Sequence, residues 1–323
     1  MRIVFLGSPE PVLPILKTLL DDGPGHGHEL VGVVSQPARP TGRSGREADP
    51  PVAAWAKEHK IMTMQPTKAS DAGFQSALSA LQPDIMITAA YGQILNDAFL
   101  RIPKRGTINI HPSLLPAWRG AIPVQAALLH DDKETGVSIL FTVKQLDAGN
   151  LILQDISPIH PEETADVLLN RLFLRGAGLL FEALEKLNDP AFEGTPQGES
   201  GLSHCKKISK DDGSIDWNKP TRVLFSQFRA YHPWPGSFSF LEDKRIAILG
   251  MRIPAADQTQ AARMLAPGVA LLNKSAMAIE VVTGDGSLLV TRLQLAGGKP
   301  LDAMSFWNGL KQREGLKFGL PAI

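Results

Sequence analysis

Cysteine is almost absent: Cys205 is the single one in 323 residues. That excludes a disulfide framework and any cysteine-rich zinc site. Long apolar runs are missing as well. The apolar stretch after Met1-Arg2 lasts only a few residues, shorter than the core of a secretory signal. No later stretch approaches the ~20 uninterrupted apolar residues of a membrane span. Internal repeats and low-complexity tracts are lacking. These absences predict a soluble, cytoplasmic chain with no membrane partner and no metal. Its length suits two domains, and its ordinary apolar content allows a core without staples.

Net charge is also lacking, since 33 Lys and Arg balance 33 Asp and Glu. The balance hides an asymmetry. Residues 1–205 carry 17 basic and 23 acidic groups, a net of −6, and residues 206–323 carry 16 and 10, a net of +6. A basic C-terminal part suits contact with a polyanion, whose phosphates release counterions on neutralisation. A chance split over a solvated surface remains the alternative.

What is present begins with an alternation of short apolar runs and helix-length segments. Arg2–Leu6, Leu30–Ser35, Asp84–Ala89, Gly106–Ile110, Gly136–Val143 and Leu151–Ile156 have the near-continuous apolar character of strands buried on both faces. Between and after them, Pro11–Leu20, Pro51–His59, Ser70–Leu81, Pro123–His130 and Thr164–Leu187 have the length of helices. The pattern predicts an α/β fold with a doubly wound, mainly parallel Rossmann-like sheet. Asp189–Lys210, rich in Gly, Pro and small polar residues, reads as a linker. Beyond it, Gly236–Phe240, Arg245–Leu249, Met277–Thr283 and Ser287–Gln294 are short β runs separated by turns. Gly284-Asp285-Gly286 is a hairpin signal, and a second, smaller OB-like β-barrel is the natural closure. Trp234 and Phe238 are expected in its core. The domains expected are residues 1–189, a linker over 190–207, and residues 208–323.

The densest chemical signal is Gly106–Pro116. Strand alternation puts Asn109 and His111 on one face, at the carboxyl end where open α/β sheets bind ligands. An amide and an imidazole side by side can both donate to a developing oxyanion. A structural Asn–His pair at a strand end is the competing reading. Asp147, in the turn Gln145–Gly149, either caps its own loop or orients His111 and assists proton transfer. His26-Gly27-His28 reads as a surface turn, because further metal ligands at suitable spacing are lacking. Arg119 either places substrate or is salt-bridged within its loop, and Cys205 reads as an inert thiol.

Asn109, His111 and Asp147, with Ser-Leu-Leu-Pro at 113–116 and Asp-Ala-Gly at 147–149, resemble the formyltransferases that use 10-formyltetrahydrofolate. The resemblance implies direct transfer: an amine attacks the formyl carbon, Asn109 and His111 stabilise the oxyanion, and Asp147 supports His111. It also implies that folate lies against Ile85–Leu95, contacting Met86, Ala90, Tyr91, Gly92, Gln93, Ile94 and Leu95, and against Ser113, Leu114, Leu115 and Pro116. For Met86 an ordinary core role competes.

The acceptor is indicated elsewhere. Ser35–Arg46 resembles the basic loop of the methionyl-tRNA formyltransferases, which implies that Arg39, Arg43 and Arg46 grip acceptor-stem phosphates. Glu47-Ala48-Asp49 stands where that family usually continues with lysines, and Pro11-Val12 where it has Phe-Ala. Lys206–Ile208, Asp211–Trp217, Arg229–Gly236 and Leu293–Lys299 resemble the same family's linker and second domain. Lys206 and Lys207 are then expected to touch tRNA. The resemblance implies initiator methionyl-tRNA and folate as partners, translation initiation as the setting, and a monomer. An amino-sugar-nucleotide formyltransferase, with the same trio and a different pocket, is the alternative.

Overall fold

The computed structural model describes residues 1–41, 45–255, 265–311 and 313–319. The chain divides into two compact units. One comprises Met1–Val124, Glu134–Ile159 and Leu168–Lys206; the other comprises Gln125–Lys133, His160–Val167 and Lys207–Ile323.

The first unit contains β1 (Arg2–Gly7), β2 (Glu29–Val34), a small ribbon of β3 (Arg39–Thr41) and β4 (Arg46–Ala48), β5 (Thr63–Met64), β6 (Ile85–Ala89), β7 (Thr107–His111), β8 (Glu134–Phe141) and β9 (Leu151–Pro158). Apart from the ribbon, these form one seven-stranded sheet in the order β5-β2-β1-β6-β7-β8-β9. Its helices are α1 (Leu13–Asp21), α2 (Pro51–Glu58), α3 (Ala72–Ala80) and α4 (Asp97–Leu100). Further helices are α5 (Pro123–Leu129), α6 (Ala165–Gly178) and α7 (Leu180–Lys186), of which α5 and α6 straddle the division between units.

The double winding follows from strand periodicity. Along β1, Ile3 and Phe5 join one apolar cluster with Ile15, Leu16 and Leu19 of α1 and Leu180 and Leu184 of α7. The alternate residues Val4 and Leu6 join a separate cluster with Leu78 of α3 and Phe99 of α4. A strand covered on both faces has no polar side to show, hence its unbroken apolar sequence. Helix starts are marked locally: the Asp71 carboxylate accepts from Phe74 N at 2.7 Å, and Asn96 Oδ1 accepts from Phe99 N at 2.9 Å.

The sheet is parallel from β5 through β7 and antiparallel from β7 to β9. It is therefore mixed at one end, as a mainly parallel sheet allows. The β8–β9 connection has no helix and only nine residues, too short for a parallel crossover.

The second unit holds α8 (Thr221–Tyr231), β10 (Ser237–Leu241), β11 (Lys244–Arg252), β12 (Ala270–Asn273), β13 (Ala278–Val282), β14 (Ser287–Leu295), β15 (Leu301–Asp302), α9 (Ala303–Asn308) and β16 (Phe318–Gly319). Its sheet runs β12-β13-β14-β11-β10-β16, with every pairing antiparallel. An antiparallel bridge between Val269 and Lys317, just before β12 and β16, links the two ends of that order. This arrangement is compatible with the expected barrel. Ile215, Trp217, Phe225, Ile248, Val281, Leu293 and Phe318 belong to its core. Phe238 is buried as expected, but Trp234 is 54% exposed. Trp234 sits in the turn between α8 and β10 with a proline on either side, outside the strands whose alternation sends side chains inward.

Candidate active site

Asn109 and His111 lie two apart near the end of β7, so one face of the strand carries both. Register places Asn109 beside Thr88 of β6, and the Thr88 hydroxyl donates to Asn109 Oδ1 at 2.9 Å. A carboxylate at Nδ2, which only accepts, fixes which end of the amide is which. Asn109 Nδ2 then donates to Asp147 Oδ1 at 3.2 Å, which leaves its second N–H for another acceptor.

Asp147 comes from the loop between β8 and β9, 36 residues beyond His111 in sequence, and takes a positive φ of 50°. Its Oδ2 accepts the Gly120 N–H at 2.9 Å and lies 3.7 Å from His111 Nδ1. Two residues on, Gly149 makes the loop possible: a Cβ there would stand 1.8 Å from the Phe141 carbonyl oxygen. Asp147 is therefore placed by a close backbone approach, beyond what its own side chain does.

The His111 ring is enclosed, and its Nε2 meets the Trp118 carbonyl oxygen at 3.1 Å. A carbonyl oxygen only accepts, so this geometry assigns a proton to Nε2 and turns Nδ1 toward the carboxylate. Burial pulls the imidazole below its ordinary pKa; the Asp147 charge and the Trp118 carbonyl pull the other way.

The turn after β7 is built from its own polar groups. The Ser113 hydroxyl donates to Ala117 O at 2.7 Å, and Ser138 Oγ donates to Ser113 O at 2.7 Å. Gln154 Nε2 donates to Leu115 O at 2.9 Å. Ser113 and Leu115 are buried, while Leu114 and Pro116 are half-buried. These four residues thus shape the turn that carries His111.

The loop expected to face folate divides in two. Met86 and the Tyr91 ring are buried together with Val4, Leu6 and Phe99, and Leu95 packs against the same cluster. The Tyr91 hydroxyl is enclosed without a hydrogen-bond partner, and burial pushes its pKa up to about 12. Ala90 and Gly92 take positive φ angles of 46° and 83° and are exposed, and Ile94 is 91% exposed. Gln93 pins the loop, accepting from Ala69 N at 2.6 Å and donating to Pro66 O at 3.1 Å.

Arg39 and Arg46 are exposed on the β3–β4 ribbon, where Arg39 is opposite Ala48 and Thr41 opposite Arg46. Arg43 lies outside the described residues. Lys206 and Lys207 are exposed. His26 stacks on Phe181 with ring centroids 4.1 Å apart, and among the described residues no group of three or more metal-ligating side chains occurs. Arg119 is buried and bonds to Gln197 instead of a carboxylate oxygen, at 3.1 Å from Nε and 2.7 Å from Nη2. Cys205 is half-buried, and burial raises its thiol pKa. Sequence reasoning passed over Thr88 and Gln197. Thr88 is signalled by standing one strand over from Asn109, whereas nothing local marks a glutamine in a polar segment.

Comparison with known proteins matches residues 1–184 to the family model described as formyl transferase and residues 207–311 to formyl transferase, C-terminal domain. This chain belongs to the formyltransferase family. It is 38% identical to a methionyl-tRNA formyltransferase of Pseudomonas entomophila, over 97% of this chain and 97% of that one. It is 39% identical to a methionyl-tRNA formyltransferase of a Synechococcus strain, over 98% of each. A crystal structure of an N-formyltransferase from Helicobacter canadensis, complexed with folinic acid and dTDP-3-aminofucose, matches 90% of this formyltransferase and 98% of its own chain. Its TM-score is 0.65 at 15% identity, which is a likeness of fold. No helix among the described residues of this formyltransferase is long and apolar enough to cross a membrane.

Proposed function

We propose that this formyltransferase moves the formyl group of 10-formyltetrahydrofolate onto the amino group of methionine carried by initiator methionyl-tRNA, in the cytoplasm, as a monomer. One observation carries the reading. Asn109, His111 and Asp147 meet within hydrogen-bond or ion-pair reach, in a chain similar from end to end to proteins named for that reaction.

In the transfer, the amine nitrogen bonds to the formyl carbon and the bond from that carbon to the folate nitrogen breaks. The amine gives up a proton, and the folate nitrogen gains one. The second N–H of Asn109 is the donor for the oxygen that becomes negative on the way. His111 adds positive charge when it is protonated, a state that burial opposes and the Asp147 carboxylate at 3.7 Å favours. Asp147 also tethers Asn109, so one carboxylate orients both groups. No nucleophilic side chain or metal is called for. In this reading Met86, Ala90, Tyr91, Gly92, Gln93, Ile94 and Leu95 form the folate wall together with Ser113–Pro116. For Met86 and Tyr91 the contribution is support from beneath, since both are buried. Residues 1–189 hold the chemistry. Arg39, Arg43, Arg46, Lys206, Lys207 and the basic residues 208–323 meet the tRNA phosphates.

The test supplies purified protein with 10-formyltetrahydrofolate and charged tRNA, scoring formylmethionine on initiator against elongator methionyl-tRNA. Formylation of the initiator species alone is the expected result. Formylation of neither, with folate still bound, would overturn the acceptor and turn attention to amino-sugar nucleotides.

A further inference from the structure

The polar segment between the two family matches has a chemical part of its own. Gln197 lies there, beyond the end of α7, yet its side chain reaches both the loop that carries Asp147 and the turn beyond His111. Its Nε2 donates to the carbonyl oxygens of Asp147 and Gly149 at 2.9 and 2.7 Å. Its Oε1 accepts from Arg119 Nε and Nη2 at 3.1 and 2.7 Å. A primary amide has two N–H groups and two lone pairs, and all four are used.

Arg119 stands between the two residues that matter most for the geometry. The Trp118 carbonyl oxygen meets His111 Nε2, and the Gly120 N–H holds Asp147 Oδ2. The same strand of linker adds backbone ties. Arg119 N donates to Ser203 O and Cys205 N donates to Arg119 O, each at 2.9 Å, while Thr195 and Leu151 exchange two bonds at 2.8 Å. Asp147 keeps a left-handed backbone, which few residues other than glycine adopt, so its position gains from outside support.

We propose that Gln197 is a positioning residue for formyl transfer. It clamps the Asp147 loop to the turn beyond His111 and so sets the separation of carboxylate and imidazole. The proposal rests on the formyl-transfer reading above. Misplacement of a reacting group by about 1 Å costs roughly 10²-fold, so loss of the clamp is expected to lower kcat by about 10–100-fold. The KM values for donor and tRNA should stay within about threefold, because Gln197 is assigned no contact with either.

Gln197→Glu is the decisive variant. It keeps an acceptor for Arg119 but sets a carboxylate against two carbonyl oxygens. Gln197→Ala removes both halves. Kinetics on the full chain across pH, with melting temperature measured alongside, read the result. The expected outcome for Gln197→Glu is the kcat loss, unchanged KM, a displaced pH limb of kcat and a near-normal melting temperature. Wild-type kcat and pH profile in folded Gln197→Glu would overturn the proposal. So would a Gln197→Ala protein that loses melting temperature alone. If the parent protein makes no formylmethionyl-tRNA, the reaction reading is what fails. NMR titration of His111 in parent and Gln197→Glu then reads the clamp without turnover, and an unmoved His111 titration overturns it.

Discussion

At the scale of single residues, Asn109, His111 and Asp147 are each held by a neighbour outside the trio at a shorter distance than they hold one another. Thr88 sets the Asn109 amide, Asn109 and Gly120 hold the carboxylate, and the carboxylate faces the imidazole. Each group is oriented before any substrate arrives, and an oriented donor in an enclosed site is worth more than one in water. His111→Ala should therefore lower turnover by ~10² or more while substrate affinity changes little. Steady-state kinetics of the purified variant check this, and near-wild-type turnover would remove His111 from the chemistry. Much of this scale was legible in sequence, because strand alternation alone puts Asn109 and His111 on one face. The arrival of Asp147 was not. Proximity across 36 residues is decided by β8, β9 and the loop between them, and no local pattern encodes that.

At the scale of elements, the second unit recruits Gln125–Lys133 from the end of α5. Asp131 makes that attachment. Its carboxylate takes Arg222 Nη2 at 2.6 Å and Nε at 2.9 Å, Lys133 Nζ at 2.8 Å and Arg229 Nη2 at 3.2 Å. Burial works to raise the Asp131 pKa, but the bonds and charges of Arg222 and Lys133 outweigh it and bring it to about 2. A folded-state pKa below the unfolded ~3.9 gives stability that is full above ~3.9 and lost as pH falls through 2. Asp131→Asn should therefore cost about 1–2 kcal/mol near neutral pH, after allowing for solvent screening. The difference from the parent should shrink below about pH 4. Urea denaturation at several pH values measures it, and a pH-independent difference would refute the assignment. Elements were legible where their repeats were long, as in β1, β2, α2 and β14. The antiparallel β8–β9 pair departs from the parallel pattern expected of these runs, because its connection is too short to cross over. Short pieces such as β12, β15, β16 and α9 passed unnoticed, because two to six residues give no period to detect. α8 was passed over for a different reason. Leu224, Phe225 and Phe228 have helical spacing after Pro220, but Ser226, Gln227 and Arg229 are buried too, and such polar residues are ordinarily assigned to the solvent side.

For the whole molecule, the charge division matters more than the total. A net of −6 over residues 1–205 and +6 over 206–323 suits the proposed contact of a polyanion with the C-terminal part. Binding of initiator tRNA should weaken as salt rises. Replacing Lys206 and Lys207 together by alanine should flatten the logarithmic salt dependence by about one to two units, while folate affinity stays put. Fluorescence titration across salt concentrations tests this. An unchanged slope would remove both lysines from the tRNA contact.

Sequence by itself determined the double winding, the strand-rich character of the second unit and the face that carries Asn109 and His111. Each of these follows from local periodicity, in which a residue's surroundings are set by near neighbours. Tertiary structure alone decided where Asp147 and Gln197 come to rest. It also decided that the Tyr91 ring is enclosed, that Trp234 faces outward, and that the end of α5 packs with the C-terminal unit. Those outcomes depend on contacts between segments far apart in the chain, such as the 50 residues separating Asp147 from Gln197. Such contacts are selected by the packing of the whole fold, to which a local stretch of sequence is blind.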